Sequence, residues 1–400
     1  MYKLILILSS LFTSQAFAEK LSLEKLVRLA YDQNPTIKSY EHQILSLTES
    51  ASARSSVQSP NIGVSEMQRG TTTRYWTVSQ KIEFPTKYGL RADIQVAKRK
   101  AVEKNLSQTK LNIRSKIATL YYSLYAVKQI TSLTKDDLQN VKEFSRIAET
   151  KYAAGKAPMH DSMKAHFLQT QIEADLISLR QEEEALQARL RNFLNQPPSF
   201  RLKAIPTNLE TPILKISKDN FKPASFTVAQ KQAEYEASKL QKQLTDWDYA
   251  PDFNLKYQDR LSGEPEESRS ISLEMSVPIW FWGKTSAQRE AAHRTYAKKF
   301  EVDSAIQESQ TKAQELYSKV KSQKELLEIM NTGLVPQAQT SYSTSLDSYK
   351  ANKSSFLDLL DAERSLLKVK IAYYRMVSLY VENLTALESA LGRAVSDLAI

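Results

Sequence analysis

Turn-forming residues are scarce in this chain, and the scarcity sets the scale of its elements. Only 8 glycines and 13 prolines punctuate 400 residues. Between Pro85 and Pro158 there is no other proline, and Gly89 is the only glycine before Gly155. A single helix over 86–152 would rise about 1.5 Å per residue and reach about 100 Å, far beyond the width of a compact domain. Within it Ile113, Ile117, Leu120, Leu124 and Val127 step by four and three, the apolar seam of a coiled coil. A returning helix over 158–195 carries Leu168, Ile172, Leu176, Leu179, Leu186 and Leu190 at similar spacing.

The plan occurs twice. A shift of 197 positions brings Ser79 onto Ser276, Ile82 onto Ile279, Phe84 onto Phe281 and Lys87 onto Lys284. The same shift brings Tyr152 onto Tyr349, Lys156 onto Lys353, Asp161 onto Asp358, Leu190 onto Leu387 and Leu194 onto Leu391. A constant offset over such a distance is what duplication produces. The chain therefore divides into an export signal at 1–18, a first repeat at 19–207 and a second at 208–400. In the second repeat the helices fall at about 284–351 and 355–391, with Tyr373, Met376, Tyr380, Leu384, Leu387 and Leu391 as the seam. Gly333 and Pro336 interrupt the outgoing helix, where proline removes a backbone donor, and a kink or break is expected there.

The signal is read from Lys3, the apolar run from Leu4 to Leu8 and on to Leu11 and Phe12, and Ala16-Phe17-Ala18 as a cleavage site. No later window is apolar for the roughly 20 residues a spanning helix needs, so any crossing of a membrane would be made by strands. The chain has no cysteine, which removes disulfides, thiolate chemistry and lipid attachment through cysteine. Its formal charge of +10 is spread among interleaved acidic and basic residues, so nucleic acid is not an expected partner.

Ahead of each long helix the apolar period changes to two. Hairpins are expected at about 60–84 and 252–282. In the first, Trp76, Val78, Ile82 and Phe84 oppose Thr77, Ser79, Lys81 and Glu83. In the second, Ile271, Leu273, Met275, Val277, Ile279 and Phe281 alternate with polar residues and Pro278, and Phe253, Leu255 and Tyr257 alternate with Asn254, Lys256 and Gln258. One apolar and one polar face suit a barrel wall between lipid and water. Tyr75, Trp76, Phe84, Trp280, Phe281 and Trp282 are placed near strand ends as an interfacial aromatic girdle. Four strands cannot close a membrane barrel, which needs about eight, whereas a homotrimer supplies twelve and leaves no free edge.

The stretches Leu21-Ser22-Leu23-Glu24-Lys25-Leu26 leading to Asn34-Pro35, Val78-Ser79-Gln80-Lys81-Ile82-Glu83-Phe84, Tyr152-Ala153-Ala154-Gly155-Lys156 and Tyr349 through Leu360 resemble the TolC family of outer-membrane efflux proteins. Ser355-Phe356-Leu357-Asp358-Leu359-Leu360-Asp361-Ala362 is the nearest match. The resemblance implies a mainly α protein whose trimer joins an α-helical barrel to a 12-stranded transmembrane β-barrel, four strands per chain. It implies a passive export duct of a tripartite efflux or type I secretion system in the cell outer membrane, in contact with outer-membrane lipid and reaching into the periplasm. A periplasmic adaptor and an inner-membrane transporter would be its partners. Glu83 at the strand end is similar to the subgroup serving metal-cation pumps. Pro85-Thr86 stands where the family often has a glycine pair, and Asn352 replaces the usual second tip glycine.

The same resemblance assigns site roles. Asp358 and Asp361, on one helix face, would line a constriction ring; Tyr349 would reach Asp161 as a tip link. The turns at Gly155-Lys156 and Asn352-Lys353 would dock the adaptor. Local chemistry offers an alternative for Asp358, since Ser355 and Asp358 fit a capping box. No catalytic residue, cofactor or metal site is expected. The histidines His42, His160, His166 and His293 lack the spacing of a helical metal pair, and Asp358 and Asp361 lack a nucleophile or base for a hydrolase. The competing architecture is a periplasmic coiled-coil scaffold or tether with the strands packed as a soluble sheet.

Overall fold

A computed structural model describes residues 22–398 apart from 70, 156–157, 203–204, 207, 217–224, 263–268, 278 and 352. The expected signal at 1–18, and with it Lys156, Asn352 and Pro278, lies outside the described residues. Two short helices, α1 (Leu23–Gln33) and α2 (Pro35–Arg54), lead into strands β1 (Asn61–Arg69) and β2 (Thr71–Ile82). The long α3 (Pro85–Ala153) and its return α4 (Met159–Leu194) follow. After an irregular stretch come α5 (Phe226–Asp246), β3 (Asp252–Ser262), β4 (Arg269–Ser276), α6 (Trp282–Ile329), α7 (Val335–Lys350) and α8 (Phe356–Leu391).

Element ends in the two halves of the chain recur at one offset. α3 and the α6–α7 pair start and stop 197 residues apart, at 85 and 282 and at 153 and 350; α4 and α8 do the same, at 159 and 356 and at 194 and 391. Their C-terminal caps match as well. Asn195 and Gly392 both adopt the left-handed conformation, φ 50° and 68°, that ends a helix by turning its chain back on its last carbonyls.

α3 spans 69 residues, about 100 Å. Where α3 is continuous, its counterpart is not: Met330–Leu334 form a π-turn around Gly333, and Pro336 then opens α7. Proline has no N–H to continue the ladder, and the extra residue of the π-turn absorbs the mismatch without ending the helix.

The four strands form one antiparallel sheet in the order β1-β2-β3-β4, so the outer edges of β1 and β4 have no partner strand. Register aligns Ile62 with Val78, Val64 with Trp76, Val78 with Tyr257, Ile82 with Phe253, Leu255 with Leu273 and Tyr257 with Ile271. Paired residues share a face, which places this apolar set together. Ser79, Lys256 and Ser272 align on the opposite face. Among the described residues no helix packs across the sheet. Ile62, Val64, Ile271 and Leu273 are each at least 66% exposed in the chain, so the apolar face is open.

Two corrections to the strand reading follow. β4 ends at Ser276, not near Phe281, because Ile279 donates its N–H to the Val277 carbonyl (2.9 Å) and turns the chain toward α6. Tyr75 and Trp76 sit in the middle of β2, not at its end, because the strand runs back as far as Thr71.

The helices pack side by side as a layer. In one half α3 contacts α2 and α5, and α5 contacts α6; toward the other end α3 lies between α4 and α8, and α8 contacts α7. One core joins α1, α3, α4, α6 and α8 around Leu26, Ile117, Leu124, Leu190, Tyr380 and Leu384, all at most 0% exposed. A second core near the helix turns holds Phe144, Ala165, Leu168, Phe356, Leu359 and Leu360. No helix among the described residues is long and apolar enough to cross a membrane.

Candidate functional site: the two ends of the helical layer

Where strands become helices, charges from both repeats meet. Lys87 Nζ, almost fully buried, donates to Asp252 Oδ1 at 2.8 Å and lies 3.5 Å from the Ala250 carbonyl. Lys81 lies 3.5 Å from Asp252 and 3.6 Å from Glu83. Buried Glu83 also pairs with Arg91 on the first turns of α3. Asp252 accepts the Phe84 N–H at 3.4 Å, and the Tyr88 hydroxyl accepts the Glu83 N–H at 3.0 Å. Sequence reasoning singled out Glu83 but not this network. The match of Lys87 to Lys284 was its one signal, and Asp252 gave none, since it lies 165 residues away in the other repeat.

An aromatic collar borders the same junction. Trp280, Phe281 and Trp282 are exposed and pack against one another, with centroids 5.1 and 5.9 Å apart. Phe84 departs from the girdle role expected of it: its ring stacks on Trp247 at 5.0 Å, which fixes the strand exit instead of facing outward. Trp76 meets Tyr257 across β2 and β3 at 5.3 Å.

At the opposite end α3 stops at a left-handed Gly155, φ 68°, whose N–H reaches the Tyr152 carbonyl (2.8 Å). Exposed Lys353 closes the equivalent turn by donating its N–H to the Ser348 carbonyl at 2.8 Å. Tyr349 is buried between Lys151, whose ammonium lies 3.7 Å from the ring centroid and 3.2 Å from the Tyr349 carbonyl, and the Phe356 ring at 5.7 Å. Burial and, less, the nearby Asp161 charge raise the Tyr349 hydroxyl's pKa. The expected link is not a hydrogen bond: the Tyr349 hydroxyl has no partner among the described residues, and Asp161 instead meets His160 at 3.1 Å.

Asp358 and Asp361 both lie exposed on the first two turns of α8. Ser355 and Asp358 complete a capping box: Asp358 N–H donates to Ser355 Oγ (3.2 Å) and Ser355 N–H to Asp358 Oδ2 (3.0 Å). These bonds to Ser355 favour the carboxylate and lower the Asp358 pKa. Asp361 has no hydrogen-bond or ion-pair partner among the described residues, so its position on the face is not explained by a local bond.

One polar group here was invisible in the sequence. Two turns into α8, Glu363 is 5% exposed and hydrogen-bonds Asp137 of α3. Burial, then the Asp137 charge, pushes Glu363 up to about 9; burial also raises Asp137.

A sheet with one open apolar face and two open edges, continuing into helices about 100 Å long, defines a class: outer-membrane channels whose barrel runs on as a helical tunnel. Residues 222–393 match the family model described as outer membrane efflux protein. The cobalt-zinc-cadmium resistance protein CzcC of Cupriavidus metallidurans is 20% identical over 385 residues, 94% of this chain and 91% of that protein. The fold is shared with the outer membrane protein VceC of Vibrio cholerae (TM-score 0.78, 17% identity, 93% of this chain and 96% of that one). It is also shared with CusC (TM-score 0.78, 14% identity, 96% of each chain). Residues 222–393 thus match outer membrane efflux proteins, and the chain as a whole has the fold of outer-membrane channels. The proteins it resembles are channels, not enzymes.

Proposed function

We propose that three copies close into one twelve-stranded barrel and helical tunnel, a passive duct that carries cargo outward from an inner-membrane transporter through a periplasmic adaptor. The single observation behind this reading is the sheet: its apolar face is uncovered and its β1 and β4 edges are unpaired. In lipid, open edges leave backbone groups unsatisfied at several kcal/mol each, and cyclic pairing of β1 with a neighbour's β4 removes every edge. The scaffold alternative would require something to cover that face, and no helix among the described residues packs against it.

The export signal at 1–18 and the two-repeat division at 19–207 and 208–400 belong to the same proposal. At the tip, Gly155, Lys156, Asn352 and Lys353 dock the adaptor, presenting two turns with basic side chains. Asp358 and Asp361 form an acidic constriction, with Tyr349 and Asp161 packed behind it. Trp76, Trp280, Phe281 and Trp282 contact the outer-membrane interface and lipid, whereas Tyr75, on the face of β2 that carries Thr77 and Ser79, looks into the barrel. The relative CzcC is a cobalt-zinc-cadmium resistance protein, which makes divalent metal cations the cargo to test first.

Native mass spectrometry of the detergent-extracted protein is expected to give a trimer mass, and alkaline washing of membranes is expected to leave it in the pellet. Monomers alone in a conducting preparation would overturn the assembly. A deletion strain should become sensitive to cobalt, zinc or cadmium; unchanged resistance to all three would remove metals as cargo and leave the duct intact.

A further inference from the structure

The contact between α3 and α8 is where the two repeats meet away from the membrane, and one side of it is polar along its length. Ser389 Oγ donates to Asn112 Oδ1 (2.6 Å), Ser115 Oγ to Thr385 Oγ1 (2.9 Å), and Ser123 and Ser378 hydroxyls pair at 2.8 Å. The two helices run antiparallel, so each step toward the tip on α3 is a step back on α8. Asp137 and Glu363 continue the same ladder at its tip end. Hydroxyl pairs are worth about 1 kcal/mol net and exchange readily with water, unlike the leucine seam between α3 and α4.

The last rung differs from the others. Glu363 and Asp137 are both at least nine-tenths buried, and two like carboxylates in contact cannot both be ionised there. Glu363 receives a hydrogen bond from Asn140, while its Oε1 is buried without a partner. Tyr342 from α7 and Arg364 from α8 face the pair, and Glu143 from α3 lies near Tyr342. Tyr342 is held neutral, its pKa raised to about 12 by burial and the two carboxyls. Arg364 favours ionised Asp137, which leaves the shared proton on Glu363.

We propose that Asp137 and Glu363 form a proton-binding clasp between the two repeats: Glu363 holds the proton and donates it to Asp137 while α3 and α8 are together, and separation of the helices releases it to solvent. The bond made is the Glu363 O–H to Asp137 hydrogen bond; on separation the Glu363 O–H bond breaks and the proton passes to water, with no other reactant.

The consequence is proton linkage. With the helices apart both carboxyls are hydrated and titrate in the ordinary range, near 4.5 for a glutamate. With them together Glu363 titrates far above it. Between those limits the joined state binds one more proton, so it is favoured by acid and loses up to about tenfold in relative population for each unit that pH rises. Below the ordinary glutamate range both states are protonated and the dependence ends.

As a gate this clasp rests on the duct reading, so its test reads the seam directly. The chain has no cysteine, and exposed Gln139 and Ser365 flank the pair. Spin labels on Gln139→Cys and Ser365→Cys in the full chain, in lipid nanodiscs, report the α3–α8 separation by pulsed dipolar spectroscopy. The long-distance population is expected to grow from about pH 6 to about pH 9. In Glu363→Gln, whose amide still donates to Asp137 but has no proton to lose, it is expected to stay constant. An equal pH response in Glu363→Gln, or constant distances in the parent over that range, overturns the clasp. Planar-bilayer conductance of the same samples separates the two readings: a chain that does not conduct but whose distances follow pH refutes the duct and keeps the clasp.

Discussion

Lys87 and Asp252 join the two repeats at the base of the strands, Nζ to Oδ1 at 2.8 Å, with the lysine side chain only 5% exposed. One residue opens the long helix of the first repeat and the other opens the third strand. The pair therefore fixes the angle at which the sheet enters the helical layer. Lys87→Met keeps the volume and leaves Lys81, 3.5 Å away, as the one cation paired with Asp252, beside the Phe84 N–H. A cost of about 3 kcal/mol is expected, the usual result of stranding one partner of a buried pair. Thermal unfolding of the variant checks it; an unchanged transition would show that Lys81 suffices.

Tyr349 separates packing from hydrogen bonding at the tip. Its hydroxyl is buried and without a partner, while its ring holds Lys151 and Phe356. Tyr349→Phe is expected to be neutral or to stabilise by about 1 kcal/mol, since it removes an unsatisfied polar group. Tyr349→Ala should cost about 3 kcal/mol by opening a cavity. If Tyr349→Phe raised the resting conductance, a hydroxyl link to Asp161 would have to form in the assembled protein.

The two aspartates of α8 can be told apart. Asp358→Ala breaks the capping box and should lower the melting temperature at neutral pH. Because its pKa is depressed in the folded chain, that stabilisation is present above the ordinary aspartate range and disappears as pH falls through the depressed value. Asp361→Asn disturbs no bond among the described residues, so it should leave melting unchanged and reduce the cation selectivity of single channels. Unchanged selectivity would remove Asp361 from the constriction.

Gly155 tests docking. Nothing lies within 4 Å of a Cβ built there, so the cost of a side chain is the left-handed backbone alone, about 1 kcal/mol for alanine. Gly155→Asn should keep efflux, because asparagine tolerates this conformation. Gly155→Trp should abolish efflux with normal trimer levels. Efflux that survives the tryptophan would place the adaptor contact elsewhere.

The elements and their pairing were legible in the sequence because each rests on a local or periodic cause. Few turn residues force long helices, a step of four and three marks their seams, and a step of two marks the strands. The offset of 197 even placed Asn195 opposite Gly392, where the structure shows matching left-handed caps. Where periodicity ended, so did its reach: alternation ran on to Phe281, but the strand stops at Ser276 when the backbone turns on itself. Asp358 was half legible, since its capping bond lies three residues away. The Lys87–Asp252 and Asp137–Glu363 pairs were not, because each joins residues far apart in sequence whose chemistry changes only on contact. A glutamate near Asp361 reads as one more solvated charge until antiparallel packing buries it against a second carboxyl; desolvation, which depends on every neighbouring element at once, then decides that it keeps its proton.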